Sequence, residues 1–568
     1  MKNVKNLFGM AVMATALVGC SSNDNLNPNA NEGADKAGTA YASFKINLPT
    51  TSGSRAADDG KPTFAEGTAK EYEVKNGTIL IFDNDGKFVT SADLGTMNPW
   101  TDIKADGVTT AAIATVKLSD VSVGSNKYQA LVLLNNNVDA STKKVTLPNK
   151  NDLYKDWSKD VDKVSVSNYE STDGFFMANA PKYDATSEPK TLVQVANVCA
   201  SPEEAQAKAA TVVYVERGLA KVTMKNFDAK YPISGGTYDG GNVTIEKWQL
   251  DVTNKSTFPV HQTGGLKDTW DQIWNTPRFY DNTSSAFKRV YWGTDPNYST
   301  DKYFKGDNTV SPEKSALDCC KDAFNMISKG QVAGDPGDAN PQYCLENTFN
   351  LDNMKQGQTT RVVFKAKFIP KGSTVAATFY KIGNNTAIWS KDKLEQQIHT
   401  VAVTAMGITN PTEQAEYVVK LDAASNNISG EAGQHMITAD NIVYNGSGSS
   451  KVPAALTAIN TKLGLTVDAG ISTYLDGVAY YIARIKHFNT MTSWNPGEAY
   501  ESEYGKYLGR YGVLRNNWYE LSVSKISGLG YPDVPTVKPE IPDDENDKYI
   551  NVEVKILDWA KRSQEIQL

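Results

Sequence analysis

Histidine and cysteine are the first scarcities. Four histidines (His261, His399, His435, His487) and five cysteines serve 568 residues, so the side chains most used for metal ligation and proton transfer are thin on the ground. Cys319, Cys320 and Cys344 have no histidine nearby, and adjacent cysteines make a poor tetrahedral set. Either Cys344 joins one of the pair in a disulfide or all three are buried thiols, with Cys199 left over. Positive charge is also lacking: the formal net charge is -7 with no basic patch, which excludes nucleic acid as a partner. Long hydrophobic runs are missing too. The longest apolar start, Leu7 to Val18, is well short of the ~20 residues that cross a bilayer as a helix. No catalytic constellation replaces these absences. Gly446-Ser447-Gly448 lacks the spacing of a nucleophile elbow. Asp83-Asn84-Asp85-Gly86 brings its glycine too early for a calcium loop, and Leu94 stands where a bidentate glutamate is needed, so it reads as a hairpin turn. The expectation is a protein that is not an enzyme and uses no metal or cofactor.

What is present is a leader, 27 tyrosines and many strands. Lys2 and Lys5 precede the short apolar run, and Leu17-Val18-Gly19-Cys20 closes it, the pattern of an export signal over residues 1–19. Ser21 to Thr39 is Ser, Asn, Asp, Gly, Ala and Pro with little that is apolar, hence a tether. From residue 40 the dominant period is two. Ala42, Phe44, Ile46 and Leu48 alternate with Ser43, Lys45 and Asn47. Further strands are expected at Val74 to Phe82, Ala111 to Leu118, Tyr128 to Leu134, Phe175 to Met177, Thr211 to Met224 and Val243 to Val252, a first set that suits one sandwich. Gly264 to Gln358 reads as long exposed excursions. A second set follows at Thr360 to Ile369, Thr374 to Tyr380, His399 to Ala405, Tyr417 to Leu421, Val478 to Ile485 and Trp518 to Ile526, with a short helix at Lys451 to Lys462. Pro532, Pro535, Pro539 and Pro542 then mark a stiff, solvated linker. The division expected is a tether and first strand over 20–55, sandwich domains over 56–260 and 261–530, and a linker with a last strand over 531–568.

The two ends share a property. Ile550, Val552, Val554 and Ile556 alternate with polar residues, followed by Trp559 and, at the end, Ile566 and Leu568. A one-faced strand at each end is a template for joining another chain, because it carries apolar side chains and backbone groups in need of partners. Right after the first strand stands Ser54-Arg55-Ala56-Ala57, a single Arg among small residues that a trypsin-like protease can reach. Loss of residues up to Arg55 would take Phe44, Ile46 and Leu48 out of their sheet. Refilling their places is worth roughly 5–9 kcal/mol before ordering costs, at ~1.5–3 kcal/mol per large apolar side chain.

The Leu-Val-Gly-Cys lipobox, the Arg55 context, Val215-Glu216-Arg217 with Ala220-Lys221-Val222, Tyr511 to Tyr519, and the Val-Lys-Ile-Leu-Asp-Trp run ending at Trp559 resemble the Bacteroidetes fimbrillins, or type V pilins. Among these the chain is most similar to the shaft subunits of the minor fimbriae of Porphyromonas. The resemblance implies an all-β protein of two tandem transthyretin-like sandwiches, made as an outer-membrane lipoprotein precursor with an acyl chain such as palmitate on Cys20. It implies cleavage by an arginine-specific protease between Arg55 and Ala56, removal of the strand bearing Ala42, Phe44, Ile46 and Leu48, and polymerisation by a C-terminal donor strand. The partners it implies are identical subunits, fimbrial anchor and tip proteins, and host or bacterial surface receptors, in adhesion, biofilm formation and virulence. Donation is by Ile550 to Leu568 as a whole, or by Ala560 to Leu568 alone with Ile550 to Ile556 a permanent strand. An accessory tip or anchor protein and a surface glycan-binding lipoprotein are the other readings; only a shaft subunit needs both the cleavage site and the donor.

Overall fold

A computed structural model describes residues 38–49, 64–65, 68–95, 101–102, 108–139, 141–171, 173–184, 187–264, 266, 289–299, 314–421, 434–467, 469–487, 508–543 and 550–559. The chain is predominantly β. Strands β1 (Gly38–Pro49), β2 (Gly77–Asp83), β3 (Phe88–Asp93), β4 (Val108–Val121), β5 (Tyr128–Leu134), β6 (Met177–Asn179) and β7 (Thr211–Arg217) share one sheet in the order β3-β2-β5-β6-β7-β1-β4. Asp83–Gly86 is the hairpin turn between β2 and β3. Gly86 adopts φ +79°, and Asp83 Oδ1 accepts from the amides of Asp85 (3.0 Å) and Lys87 (2.8 Å), which fixes the turn. The sheet curls until its ends meet, with Thr90 Oγ1 of β3 3.0 Å from Ser119 Oγ of β4. Its inner face closes over an apolar core that includes Phe44, Ile46, Ile79, Val116, Val132 and Val213. The outer face of β2 and β5 is covered as well, by Trp157, Phe175 and Trp518. Burial on both faces explains why Ile79-Leu80-Ile81-Phe82 and Ala130 to Leu134 are continuous apolar runs.

Gly218 alone separates β7 from the next strand, β8 (Leu219–Met224). With β9 (Asn242–Asp251), β10 (Gln342–Leu345), β11 (Arg361–Ile369), β12 (Val478–Arg484), β13 (Asn517–Ile526) and β14 (Ile550–Trp559) it builds a second assembly. One sheet runs β14-β13-β8-β10 and the other β9-β11-β12. They face each other across Val222, Trp248, Phe364, Tyr481, Tyr519 and Leu521. The change of sheet therefore falls at Gly218 and not near residue 260: Leu219–Met224 and Asn242–Asp251, expected in the first set, belong to the second.

Two further expectations are corrected. Residues 399–405 are helical, part of α3 (Lys391–Ala405), which follows α1 (Pro202–Ala207) and α2 (Ala316–Ala323) in the chain and precedes α4 (Val452–Leu463). Leu394, Ile398 and Ala402 recur every four residues and are buried; Val401, Val403 and Ala405 imitate a strand only when read apart from them. Helices α3 and α4 pack together with Tyr417–Val419 and Ile442–Tyr444 around a core of their own. That module is inserted between β11 and β12, which are themselves paired neighbours (Lys367 opposite Val478). The proline-rich segment is docked on the body. The Arg361 guanidinium donates to the Pro535 carbonyl (2.6 Å), the Gln356 amide to the Ile541 carbonyl (2.9 Å) and the Asp543 amide to the Met354 carbonyl (3.1 Å). Val537 is buried beside Cys319 and Cys320. Cys199, Cys319, Cys320 and Cys344 are buried and form no disulfide, and burial pushes the Cys320 thiol up to about 12, which disfavours its thiolate.

Candidate functional site: the groove that holds the first strand

β1, the first of the described strands, lies in the middle of a sheet. It pairs antiparallel with β4, from Ala40 opposite Leu118 to Leu48 opposite Thr110, and parallel with β7, from Phe44 opposite Thr211 to Asn47 opposite Tyr214. Ala40, Ala42, Phe44, Ile46 and Leu48 all point into the core, and Phe44 is among the largest side chains with no exposure at all. The other face is polar but not all wet. Ser43 Oγ donates to the Ala205 carbonyl of α1 (2.8 Å) and lies 2.8 Å from Thr115 Oγ1. Tyr41 and Cys199 exchange two backbone hydrogen bonds (2.9 and 2.8 Å). Taking β1 away would uncover two strand edges at once, those of β4 and β7, with a row of apolar sockets between them.

Cys20, Arg55, Ala56, Ile566 and Leu568 lie outside the described residues; β1 ends at Pro49, six positions before Arg55. Ile550, Val552, Val554, Ile556 and Trp559 lie on β14, which pairs along β13 of the same chain from Ile550 opposite Ile526 to Asp558 opposite Asn517. β1 and β14 thus sit in different sheets.

The walls of the groove are tied to the second assembly by buried charge that period-two reading misses. Glu216, at the end of β7, receives Arg289 on Oε2 (Nη2 2.9 Å, Nε 3.1 Å) and lies 2.6 Å from His261 Nδ1 through Oε1. Arg289 Nη2 also donates to the Arg515 carbonyl (3.2 Å), and Arg515 Nε to Glu346 Oε2 (3.0 Å). Burial by itself would raise the Glu216 carboxyl; His261 and Arg289 outweigh it and hold the group below the usual carboxylate range. A second knot surrounds Glu71, whose carboxylate accepts from Lys221 Nζ of β8 (2.9 Å), Tyr343 Oη of β10 (2.5 Å) and the Thr68 amide (2.7 Å). Arg217 Nε donates to the Glu71 carbonyl (2.6 Å). Here too burial opposes ionisation, and Lys221 with Tyr343 reverses it, so the Glu71 carboxyl lies low. The signal was available in Val215-Glu216-Arg217: two opposite charges inside an apolar strand are costly unless each has a buried partner. Arg289, Trp292, Asp295, Glu346 and Asn347, expected in an exposed excursion, are buried at this junction. Burial pushes the Asp295 carboxyl up to about 7, against three donors that favour its charge.

Residues 472–565 match the family model of the major fimbrial subunit protein type IV, fimbrillin, C-terminal region. That stretch is similar to the C-terminal region of fimbrillins. It takes in β12, β13, β14 and most of the tail beyond Trp559, and does not include β1. Solved structures that align with the chain include a candidate cell adhesion protein from Parabacteroides distasonis ATCC 8503, at 10% identity over 93% of this chain and 99% of that one with a TM-score of 0.38. A fimbrilin from Porphyromonas gingivalis W83 aligns at 12% identity over 92% and 99%, with a TM-score of 0.37. The tip fimbrial protein of Porphyromonas gingivalis with a C-terminal truncation aligns at 10% over 91% and 100%, with a TM-score of 0.26. At such scores the likeness adds nothing to the family match. No curated protein matches the chain.

Proposed function

We propose that this fimbrillin-like chain is the shaft subunit of a bacterial surface fimbrium, exported as a lipoprotein precursor acylated on Cys20, cut after Arg55 and polymerised by donor-strand exchange. The observation that carries the reading is the place of β1. It is paired along both edges, with β4 on one side and β7 on the other, and is followed within six residues by Arg55. Removing it leaves a groove with two open edges and sockets for Ala42, Phe44, Ile46 and Leu48. A donor segment of the next subunit, from the region Ile550 to Leu568, fills it. Head-to-tail filling does not close on itself and so gives an open filament. Identical subunits are then the main partners, with anchor and tip proteins at the filament ends, an arginine-specific protease as the trigger and surface receptors as the target of adhesion and biofilm formation. Arg55→Ala tests this directly. The variant is expected to remain an uncut, unpolymerised precursor when treated with an arginine-specific protease, while the parent forms filaments visible by electron microscopy; filaments of normal length from the variant would refute the mechanism.

A further inference from the structure

The proline-rich segment from Tyr531 to Asp543 is docked on the body but does not lie flush with it. Between the two is a cavity of about 380 Å³, at the small end of the ~300–1,000 Å³ that ligand pockets occupy. Three parts of the chain wall it: α2 with the residues that follow it, the paired ends of β9 and β11 at Asp251 and Arg361, and the segment itself. Leu317, Met326, Ile327, Val534 and Val537 make the lining mostly apolar.

The polar groups of the lining differ in what they leave unused. The Asp251 carboxylate accepts from the Val252 and Ile327 amides (both 2.9 Å) on Oδ1 and from Arg361 Nε (2.8 Å) on Oδ2. Asp533 accepts from the Val534 amide (2.8 Å) on Oδ1 and from Lys329 Nζ (3.0 Å) on Oδ2. Both acids are engaged on both oxygens. The cations are not. Arg361 is 2% exposed and spends Nε on Asp251 and Nη2 on the Pro535 carbonyl (2.6 Å), which leaves Nη1 without an acceptor among the described residues. The Lys321 ammonium has one long contact, 3.7 Å to the half-exposed Asp318. A guanidinium nitrogen on a buried side chain calls for an acceptor, and the lining as a whole carries three cations against two acids.

We propose that this cavity binds a small carboxylate with an apolar body. The carboxylate accepts from Arg361 Nη1 and balances the charge of Lys321, while the hydrocarbon lies against Leu317, Ile327 and Val537. A neutral acceptor would satisfy the nitrogen but not the excess charge. The same chemistry is offered by a free short-chain acid and by the C-terminus of a peptide. Neither the β1 groove nor β14 contributes to the lining, so the site is independent of how subunits are joined. Because one wall is the docked segment, an occupant bridges segment and body and stabilises the folded chain by mass action.

Calorimetric titration of the full-length chain with hexanoate and with the dipeptide acid N-acetyl-Ala-Leu tests the site. At least one acid is expected to bind saturably at one site and to raise the thermal midpoint, and the tighter of the two identifies the source. The matching amides keep the apolar body without the charge and are expected to bind at least about tenfold more weakly, the worth of one charge-assisted hydrogen bond. Lys321→Glu, at an exposed position of α2, is expected to weaken acid binding several-fold. Leu317→Trp, which fills the cavity, is expected to abolish it, with circular dichroism checking that the fold persists. No saturable binding of either acid overturns the proposal. So does an amide that binds as tightly as its acid, or acid binding that survives both substitutions.

Discussion

Phe44 concentrates the logic of the first sheet in one side chain. It has no exposure, it packs between β4 and β7, and on the proposed pathway it leaves with the strand that carries it. Phe44→Ala should therefore cost the uncut chain about 3–5 kcal/mol, read as a lower denaturant midpoint. Filaments assembled after cleavage should be as resistant to denaturant as those of the parent, because residue 44 is no longer in them. Equal weakening of both forms would mean that β1 stays in place. At this scale much was legible: the alternation from Ala42 to Leu48 identified the inward face residue by residue. The partners of Glu216 were not, since His261, Arg289, Glu346 and Arg515 come from distant parts of the chain and only folding brings them together.

Among elements, the inserted helical module is the one that sequence periodicity misrepresents. Its helices have amphipathic faces that alternate locally like strands, and its short strands are partners of one another and not of the sandwich. Lys381 and Ser472 face each other on neighbouring antiparallel strands, so the module hangs from a two-stranded stem. Replacing residues 382–471 by a two-residue Asn-Gly turn should leave a chain that still folds, is cut at Arg55 and polymerises. Circular dichroism would show the loss of helix and electron microscopy the retained filaments. Failure to fold would make the module part of the sandwich core. The docked segment from Tyr531 to Asp543 corrects the other reading: proline spacing predicts stiffness, but not whether a stiff segment lies in solvent or against Arg361 and Gln356.

At the scale of the molecule, the buried charges couple the groove to the assembly that holds β14. Glu216 lies on β7, a wall of the groove, while Arg515 leads into β13. Glu71 and Glu216 both titrate below the usual 4.5 of a glutamate, so the stability they supply is complete above that pH and is lost as pH falls through their lower folded values. Thermal melts should show a stable plateau near neutrality and a falling midpoint in acid. Glu216→Gln should lower stability at pH 7 by about 3–5 kcal/mol, since it leaves Arg289 buried without its charge partner, and should flatten the acid limb. An acid limb as steep as the parent's would remove Glu216 from its cause. On the proposed pathway, force applied along a filament would pass from groove to donor through this junction, which would give a physical reason for its buried ionic ties.

Composition and periodicity by themselves determined that the chain is β-rich, that its first strand has one buried face, that its two ends have strand character, and that metal and thiol chemistry have few residues to work with. Those properties depend on neighbours two residues apart, which a sequence displays directly. Only the tertiary structure decided that β1 sits at the centre of its sheet, that the change of assembly falls at Gly218, that β14 is already paired with β13, and that the charged positions of β7 are knotted to residues 45 to 299 positions away. These are matters of pairing between segments far apart in sequence, and alternation says which face a strand buries, not which strand it will lie beside.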